Sequence, residues 1–264
     1  MSVATELDRL RAAITRHPTL AIAVSGGVDS MVLTHVAHGS GASVTAIHAV
    51  SPAVPVSATE RVKRHAARHN WTLRLLDAGE MNDPDYLANP VNRCFFCKTN
   101  LYSRIRSVTE APIASGTNAD DLGDYRPGLQ AAEAHGVVHP FVEAGIGKDG
   151  IYALAAALGL SDLERLPAQP CLASRIETGI PVDADMLIFI DKAENALREI
   201  LPDAEALRCR VTAGGIVAEI SPLPDADRAD RVARLADTLC HDAGRPFAGI
   251  RPYRRGSAFL HPKP

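Results

Sequence analysis

Ser25-Gly26-Gly27-Val28-Asp29-Ser30 places two hydroxyls, two glycines and a carboxylate in six consecutive positions. Glycines there let the backbone take positive φ and approach a phosphate closely. The serines add hydroxyl donors, and Asp29 could hold a hard cation such as Mg2+ beside the phosphates. Cys94-Phe95-Phe96-Cys97, followed by Lys98, is a C-x-x-C pair that can grip a metal or cluster, or form a redox pair. A further thiol, Cys171, lies in Pro170-Cys171-Leu172-Ala173-Ser174-Arg175. Three thiolates could hold a [4Fe–4S] cluster and leave one iron open, whereas a structural zinc would want a fourth protein ligand. The stretch from Ser115 to Gly128 adds Gly116, Asn118, Asp120, Asp121 and Asp124, small and polar groups able to order a ribose or metal, or simply to form a polar turn.

These groups need a scaffold, and alternating strand and helix patterns supply one. Leu20–Val24 is an apolar run that reads as a strand buried on both faces, ending at Ser25 with a helical pattern beyond it. A strand, a glycine loop and a helix start aim backbone N–H groups and a positive helix end at an anion. Strands follow at Ala42–Val50, Trp71–Leu76 and Pro112–Gly116, with a last one expected at Val137–Val142. Helices are expected at Ser57–Asn70, where S-x-x-E matches a capping box, and at Phe95–Thr109, Gly128–His135 and Asp149–Leu158. Such alternation implies right-handed crossovers and a parallel α/β sheet. The pattern breaks in a proline-rich loop between Leu160 and Pro181. Two domains are therefore expected, over 1–179 and 180–264. The second reads as a small α+β unit: a helix at Asp183–Ile200 capped by Asp183, strands at Glu205–Val211 and Ile216–Ile220, a helix at Pro224–His241 and a short strand near Phe247–Arg251.

The Ser25–Ser30 loop is similar to the PP-loop of ATP pyrophosphatases, the adenine nucleotide alpha hydrolase-like fold, which cleave ATP between the α- and β-phosphates. Over most of the first 180 residues the chain resembles the LarE family, ATP-dependent sulfur transferases of nickel-pincer nucleotide synthesis. The marks are Ser25–Ser30, Asn89-Pro90 with Arg93-Cys94 and Cys97-Lys98, Gly116–Gly128, and Pro170–Arg175 with Gly179. The resemblance implies that a carboxylate of pyridinium-3,5-biscarboxylate mononucleotide is adenylylated and AMP then replaced by sulfur. It implies ATP contacts from Ser25, Gly26, Gly27, Asp29, Ser30, Lys98, Gly116, Asn118 and Asp121, with Mg2+ on Asp29. Cys171 falls at the family's sulfur-handling position. Cys94, Cys97 and Cys171 together resemble the members in which a [4Fe–4S] cluster carries added sulfide from a donor. Glu194, Arg208 and Arg210 match positions tied to substrate and phosphate. Alternate strand residues share a face, so Arg208 and Arg210 could both address a phosphate, or equally be solvated. One departure is Gly249-Ile250-Arg251-Pro252-Tyr253-Arg254, which stands where the family tends to carry an acidic D-L-E-G-Y-R pattern. Members tend to form homo-oligomers.

Bulk properties narrow the classes. A net charge of −3 without a basic tail speaks against a nucleic-acid partner, and so against the rival reading of a PP-loop tRNA thiolase. Five cysteines favour thiol or metal chemistry over a disulfide framework, and Cys209 and Cys240 read as buried small apolar residues. No apolar run reaches membrane-span length, and residues 1–16 read as an amphipathic helix rather than a signal peptide, so the expectation is a cytoplasmic enzyme. A third class, a non-catalytic nucleotide-binding metal sensor, shares the same loop and thiols. Gly145-Ile146-Gly147-Lys148-Asp149-Gly150 matches G-x-G-x-x-G, but the proline at 140 and the competing loop at Ser25 argue against a dinucleotide site. His65 and His69, flanked by Arg64 and Arg68, read as a solvated basic face.

Overall fold

A computed structural model describes residues 2–123 and 127–260; Asp124 lies outside them. The chain divides into two compact units, one of residues 1–80 and 93–169, the other of residues 81–92 and 170–264.

The first unit is built on a parallel sheet with strand order β3-β2-β1-β4. The strands are β1 (Thr19–Ala23), β2 (Ser43–Ala49), β3 (Thr72–Leu76) and β4 (Ile113–Ser115). Its helices are α1 (Val3–Thr15), α2 (Val28–His38), α3 (Val56–His69), α5 (Arg93–Arg106), α6 (Pro127–Ala134), α7 (Pro140–Glu143) and α8 (Lys148–Ala157); the short α4 (Pro84–Leu87) belongs to the second unit. The apolar run of β1 is buried because both sheet faces are covered. Leu20, Ile22 and Val24 pack with Leu10 and Ile14 of α1, Met31 and Val32 of α2, and Ile151 and Leu154 of α8. Ala21 lies in the opposite cluster with Tyr102 and Ile105 of α5, Ile113 and Ala131. Burying each large aliphatic side chain contributes about 1.5–3 kcal/mol. This is the α/β architecture of a PP-loop ATP pyrophosphatase.

Three local expectations are corrected. Val137–Val142 is not a strand: Val138 makes a single bridge to Ala114, and Pro140, lacking an N–H, opens α7 instead. The capping box at Ser57 does not form, because α3 begins earlier with Pro55 as its N-cap and no side-chain cap bond. His65 is not solvated. It and Arg61 are buried, since α3 turns this face toward His35 of α2 and Trp71.

The second unit pairs β5 (Ala206–Thr212) antiparallel with β6 (Gly215–Ser221), and β6 parallel with β7 (Phe247–Pro252). Helices α9 (Ala184–Ile200) and α10 (Ala226–Asp242) begin at Asp183 and Asp225, whose carboxylates accept first-turn amides. Phe189, Ala193, Leu197, Cys209, Ala236, Cys240 and Phe247 line one small apolar space between these elements. Cys209 and Cys240 are buried, and burial pushes both thiols up, Cys240 to about 11. The unit begins at Pro170, upstream of the division expected after residue 179, and it also takes in residues 81–92. Asn89, fully buried with φ 53°, explains that inclusion. Its side-chain amide donates to the carbonyls of Glu177 and Ile180 at 2.8 Å each, and its own carbonyl accepts the Gly179 N–H. Among the described residues no helix is long and apolar enough to cross a membrane.

Candidate active site

Strand order places the site of the first unit. After β1 the chain moves outward through β2 and β3, then returns to pair β4 on the other side of β1. The loops leaving the carboxyl ends of β1 and β4 therefore flank a topological switch point, where α/β sheets bind ligands. Ala23 is opposite Ser115, so the Ser25–Ser30 loop and the Gly116–Asp121 loop are neighbours. They touch: a Cβ added at Gly116 would lie 2.7 Å from the Ser30 amide nitrogen.

The β1 loop is held by its own serines. Ser30 Oγ accepts the Ser25 N–H at 3.0 Å and donates to the Gly27 carbonyl at 3.1 Å, while Ser25 Oγ accepts the Gly27 N–H at 3.3 Å. Gly26 takes φ +84° with its Cα against the Ala58 carbonyl, so this position needs glycine on both counts. Gly27, expected to use the same freedom, has φ −77° and is the N-cap of α2. No side chain caps α2 there, which leaves its start, with the positive end of the helix behind it, able to receive an anion. His48 braces the loop from beneath: Nδ1–H donates to the Val24 carbonyl at 2.7 Å, and Thr59 hydroxyl bonds Nε2 at 2.9 Å. Burial lowers the His48 pKa and keeps that ring neutral.

Asp29 is engaged by a residue the sequence reading passed over. Lys148 Nζ lies 2.8 and 2.7 Å from its two carboxylate oxygens, and Asn118 Nδ2 is 3.4 Å away. Lys148 begins α8, and its amide donates to Asp120 Oδ2 at 2.7 Å. Gly147 permits this approach, since a Cβ there would fall 2.7 Å from the Asp120 carboxylate. Gly147-Lys148 is thus part of the surroundings of the Ser25–Ser30 loop, although the motif containing it follows a helix rather than a strand. Asp121 Oδ2 accepts the Asn118 N–H at 3.1 Å and Asn118 Oδ1 accepts the Asp120 N–H at 3.0 Å, so this loop is pre-shaped. Ser115 Oγ bonds His139 Nδ1 at 2.9 Å, and burial lowers the His139 pKa.

Cys94 and Cys97 lie in the first turns of α5, three residues apart on one helix face, both half-buried and in no disulfide. Lys98 follows them, with its ammonium 5.8 Å from the Tyr102 ring centroid. Two thiols on one turn fit thiolate ligation of a metal or cluster.

In the second unit Cys171, also a half-buried free thiol, precedes a 3-10 turn at Leu172–Arg175. That turn is fixed by Arg175, whose Nη1 donates to the carbonyls of Pro170 and Cys171 at 2.7 and 3.1 Å. Glu194 of α9 takes Arg175 Nε and Nη2 at 2.9 and 2.8 Å and also accepts the Cys209 N–H. Burial works against the Arg175 charge, but the Glu194 carboxylate outweighs it and raises the pKa. Glu194 thus acts through Arg175 on the Cys171 segment. Arg210 is buried, bound to Glu219 Oε2 at 2.7 Å and to the Ser174 carbonyl at 2.7 Å. Arg208 is half-buried, donates to the Leu207 carbonyl, and has its pKa lowered by burial and by Arg175. Neither arginine is simply solvated. Glu219 is buried on β6 and also accepts from Arg251 and Ser257, so an acid does face the basic 249–254 segment, supplied from a different strand.

Sheet order and loop geometry place the chain among PP-loop ATP pyrophosphatase-type α/β proteins. It belongs to the family of the uncharacterised protein slr1717 of Synechocystis sp., with 36% identity over 201 residues, 74% of this chain and 75% of that one. It is also 26% identical over 197 residues to an uncharacterised protein of Methanocaldococcus jannaschii, covering 73% and 75% of the two chains. More distantly named is pyridinium-3,5-bisthiocarboxylic acid mononucleotide synthase of Lactiplantibacillus plantarum, 26% identical over 205 residues, 75% of this chain and 74% of the synthase. No protein-family model matches the chain.

Proposed function

We propose that the protein is an ATP-dependent sulfurtransferase of LarE type, which activates a carboxylate of a pyridinium mononucleotide and replaces AMP with sulfur. The observation that carries the reading is the switch-point cradle: uncapped α2 amides, Ser25 and Ser30 hydroxyls, and the Lys148 ammonium on Asp29 beside the Gly116–Asp121 loop. The relation to the Lactiplantibacillus synthase supports the substrate class.

In this mechanism the ATP phosphates lie on the Ser25–Ser30 amides, with Ser25, Gly26, Gly27 and Ser30 as direct contacts. Lys148 supplies charge where the phosphate oxygens gather it, and Asp29 orients that ammonium. Any Mg2+ on Asp29 would share the carboxylate with Lys148, which leaves a second lone pair on Oδ2, whereas Oδ1 also accepts from Asn118. Gly116, Asn118 and Asp121 form the second wall, and Lys98 is a further candidate contact. A substrate carboxylate oxygen attacks the α-phosphorus and the bond to the bridging oxygen of the β-phosphate breaks, releasing pyrophosphate. Positioning and charge stabilisation do most of such a transfer. Sulfide attacking the acyl carbon breaks the carbon–oxygen bond to AMP and leaves a thiocarboxylate directly. With the Cys171 thiolate as nucleophile the same step gives a thioester, and loss of the Cys171 Cα proton with cleavage of its Cβ–S bond then releases the thiocarboxylate and leaves dehydroalanine. A thiolate or sulfide suits this step because soft sulfur is a strong nucleophile toward acyl groups. Cys171, set by Arg175 and Glu194, is the sulfur-handling thiol, with Arg208 and Arg210 on the adjacent strand as candidate substrate contacts. Cys94, Cys97 and Cys171 have the donor chemistry to hold a [4Fe–4S] cluster, which when bound supplies an iron able to carry sulfide from a donor.

Pyrophosphate release from ATP that depends on the dicarboxylate nucleotide tests the activation half. Cys171→Ala is expected to keep ATP–pyrophosphate exchange and to lose sulfur transfer. A Cys171→Ala protein that still makes thiocarboxylate would refute the sulfur assignment, and thiolation of tRNA instead would favour the rival enzyme.

A further inference from the structure

His35 of α2 and His65 and His69 of α3 converge on one another, with potential ligand atoms of all three within 4.8 Å of each other. The i, i+4 spacing puts His65 and His69 on one helix face, and the packing of α2 against it brings in His35. His35 Nε2 faces His65 Nδ1 at 2.8 Å, and the outer nitrogen of the same ring, His65 Nε2, is bound to Asp162 Oδ2 at 2.9 Å. His35 and His69 ring centroids are 4.5 Å apart, and Trp71 covers His35 from 4.7 Å.

We propose that His35, His65 and His69 form a binding site for one divalent transition-metal ion of the zinc class, with Asp162 orienting His65 from outside. A histidine that ligates through one ring nitrogen while its other nitrogen is held by a carboxylate is the arrangement that fixes tautomer and ring direction at zinc centres. Two nitrogens 2.8 Å apart can share an ion at about 2.0–2.1 Å, and opening them by about half an ångström gives tetrahedral spacing. Three imidazoles leave a fourth position for water. An all-imidazole donor set suits zinc, copper or nickel and disfavours magnesium and calcium, whose ligands are oxygens.

The ion would clasp α2 to α3, and α3 is the backing of the glycine loop. The Ala58 carbonyl lies against Gly26, and Arg61 Nη1 donates to the Gly26 carbonyl at 2.8 Å. This site shares no residue with the thiols Cys94, Cys97 and Cys171, so metal binding here does not depend on the sulfurtransferase reading.

The test is Co2+ titration of the chelator-treated full chain under argon, followed by Zn2+ competition. One Co2+ per chain is expected in an imidazole ligand-field band that Zn2+ displaces, and any thiolate charge-transfer absorption from the Cys94 and Cys97 pair should be lost in their double serine variant. His69→Gln, at a half-exposed position where folding should survive by circular dichroism, is expected to lose the band. Asp162→Asn should weaken binding about 10–100-fold. A Cys94→Ser, Cys97→Ser double variant should keep the band unchanged. No stoichiometric Co2+, or a signal that survives His69→Gln or disappears with the cysteines, would overturn the site.

Discussion

Gly116→Ala should disable the candidate nucleotide site while leaving the rest of the sheet intact. A Cβ at this position would lie 2.7 Å from the Ser30 nitrogen and 3.0 Å from both the Asp29 carbonyl carbon and the Ser30 Cα. All three are backbone atoms, so no side-chain rotation relieves the overlap. Ordinary contact begins at 3.4 Å, which means the Ser25–Ser30 loop and the β4 loop must separate by about 0.7 Å. Overpacking of this size costs about 1–3 kcal/mol of stability. Displacing a positioning loop by about 1 Å costs on the order of 10²-fold in rate. Initial rates of pyrophosphate release, with urea unfolding alongside, would measure both. Gly39→Ala is the matched control at the other end of α2: its φ is −84° and its nearest neighbour would be the His35 carbonyl at an ordinary 3.6 Å. The reasoning fails if Gly116→Ala retains activity within a few-fold of the parent, or if Gly39→Ala is impaired as much.

Lys148→Met keeps the side-chain length and removes the ammonium from Asp29. ATP cleavage should fall about 10²-fold, yet the melting temperature should hardly change because a part-exposed ion pair contributes about 0–1 kcal/mol; a large loss of stability with normal activity would contradict this. Glu194→Gln breaks a buried bidentate pair with Arg175 and should cost about 3 kcal/mol in urea unfolding, an expectation refuted by a midpoint equal to that of the parent. Glu219 gives a pH dependence. Burial works against its charge, but bonds from Arg210, Ser257 and Arg251 outweigh burial and hold the pKa below the usual carboxylate value. A depressed folded pKa means the contribution is complete above the unfolded value of about 4.3 and is lost as pH falls from there through the folded value. Denaturation midpoints from pH 6 to pH 3 should decline less steeply for Glu219→Gln than for the parent, and identical slopes would exclude this origin.

The fold of the first unit was largely legible because its signals are local. A run such as Leu20–Val24 can be buried on both faces only in a covered sheet, and glycine is required where Gly26 takes positive φ. Partners joined across long sequence separations were not legible. Lys148 meets Asp29 from 119 positions away, and only its place at a helix start after glycine hinted at an anion site. Arg175 stood inside the Pro170–Arg175 motif, but its clamp on the Cys171 segment appears only when α9 brings Glu194 to it. The i, i+4 pair of His65 and His69 was visible, whereas its inward face depended on His35 in another helix. Residues 81–92 looked like a connection within the first domain, because the bonds of Asn89 to residues 177–180 leave no periodic trace. Pro140, which already counted against a dinucleotide site, also ends the expected strand, because it lacks an N–H and opens α7.

The central claim is that this chain couples ATP cleavage to sulfur insertion at a carboxylate. Its most direct test is mass spectrometry of an anaerobic reaction containing the protein, ATP, Mg2+, sulfide and pyridinium-3,5-biscarboxylate mononucleotide. The account predicts a product carrying sulfur in place of a carboxylate oxygen, with AMP and pyrophosphate formed in equal amounts to it. ADP and phosphate as the nucleotide products, or AMP formation with no thiocarboxylate in any of the nucleotide pool, would contradict it.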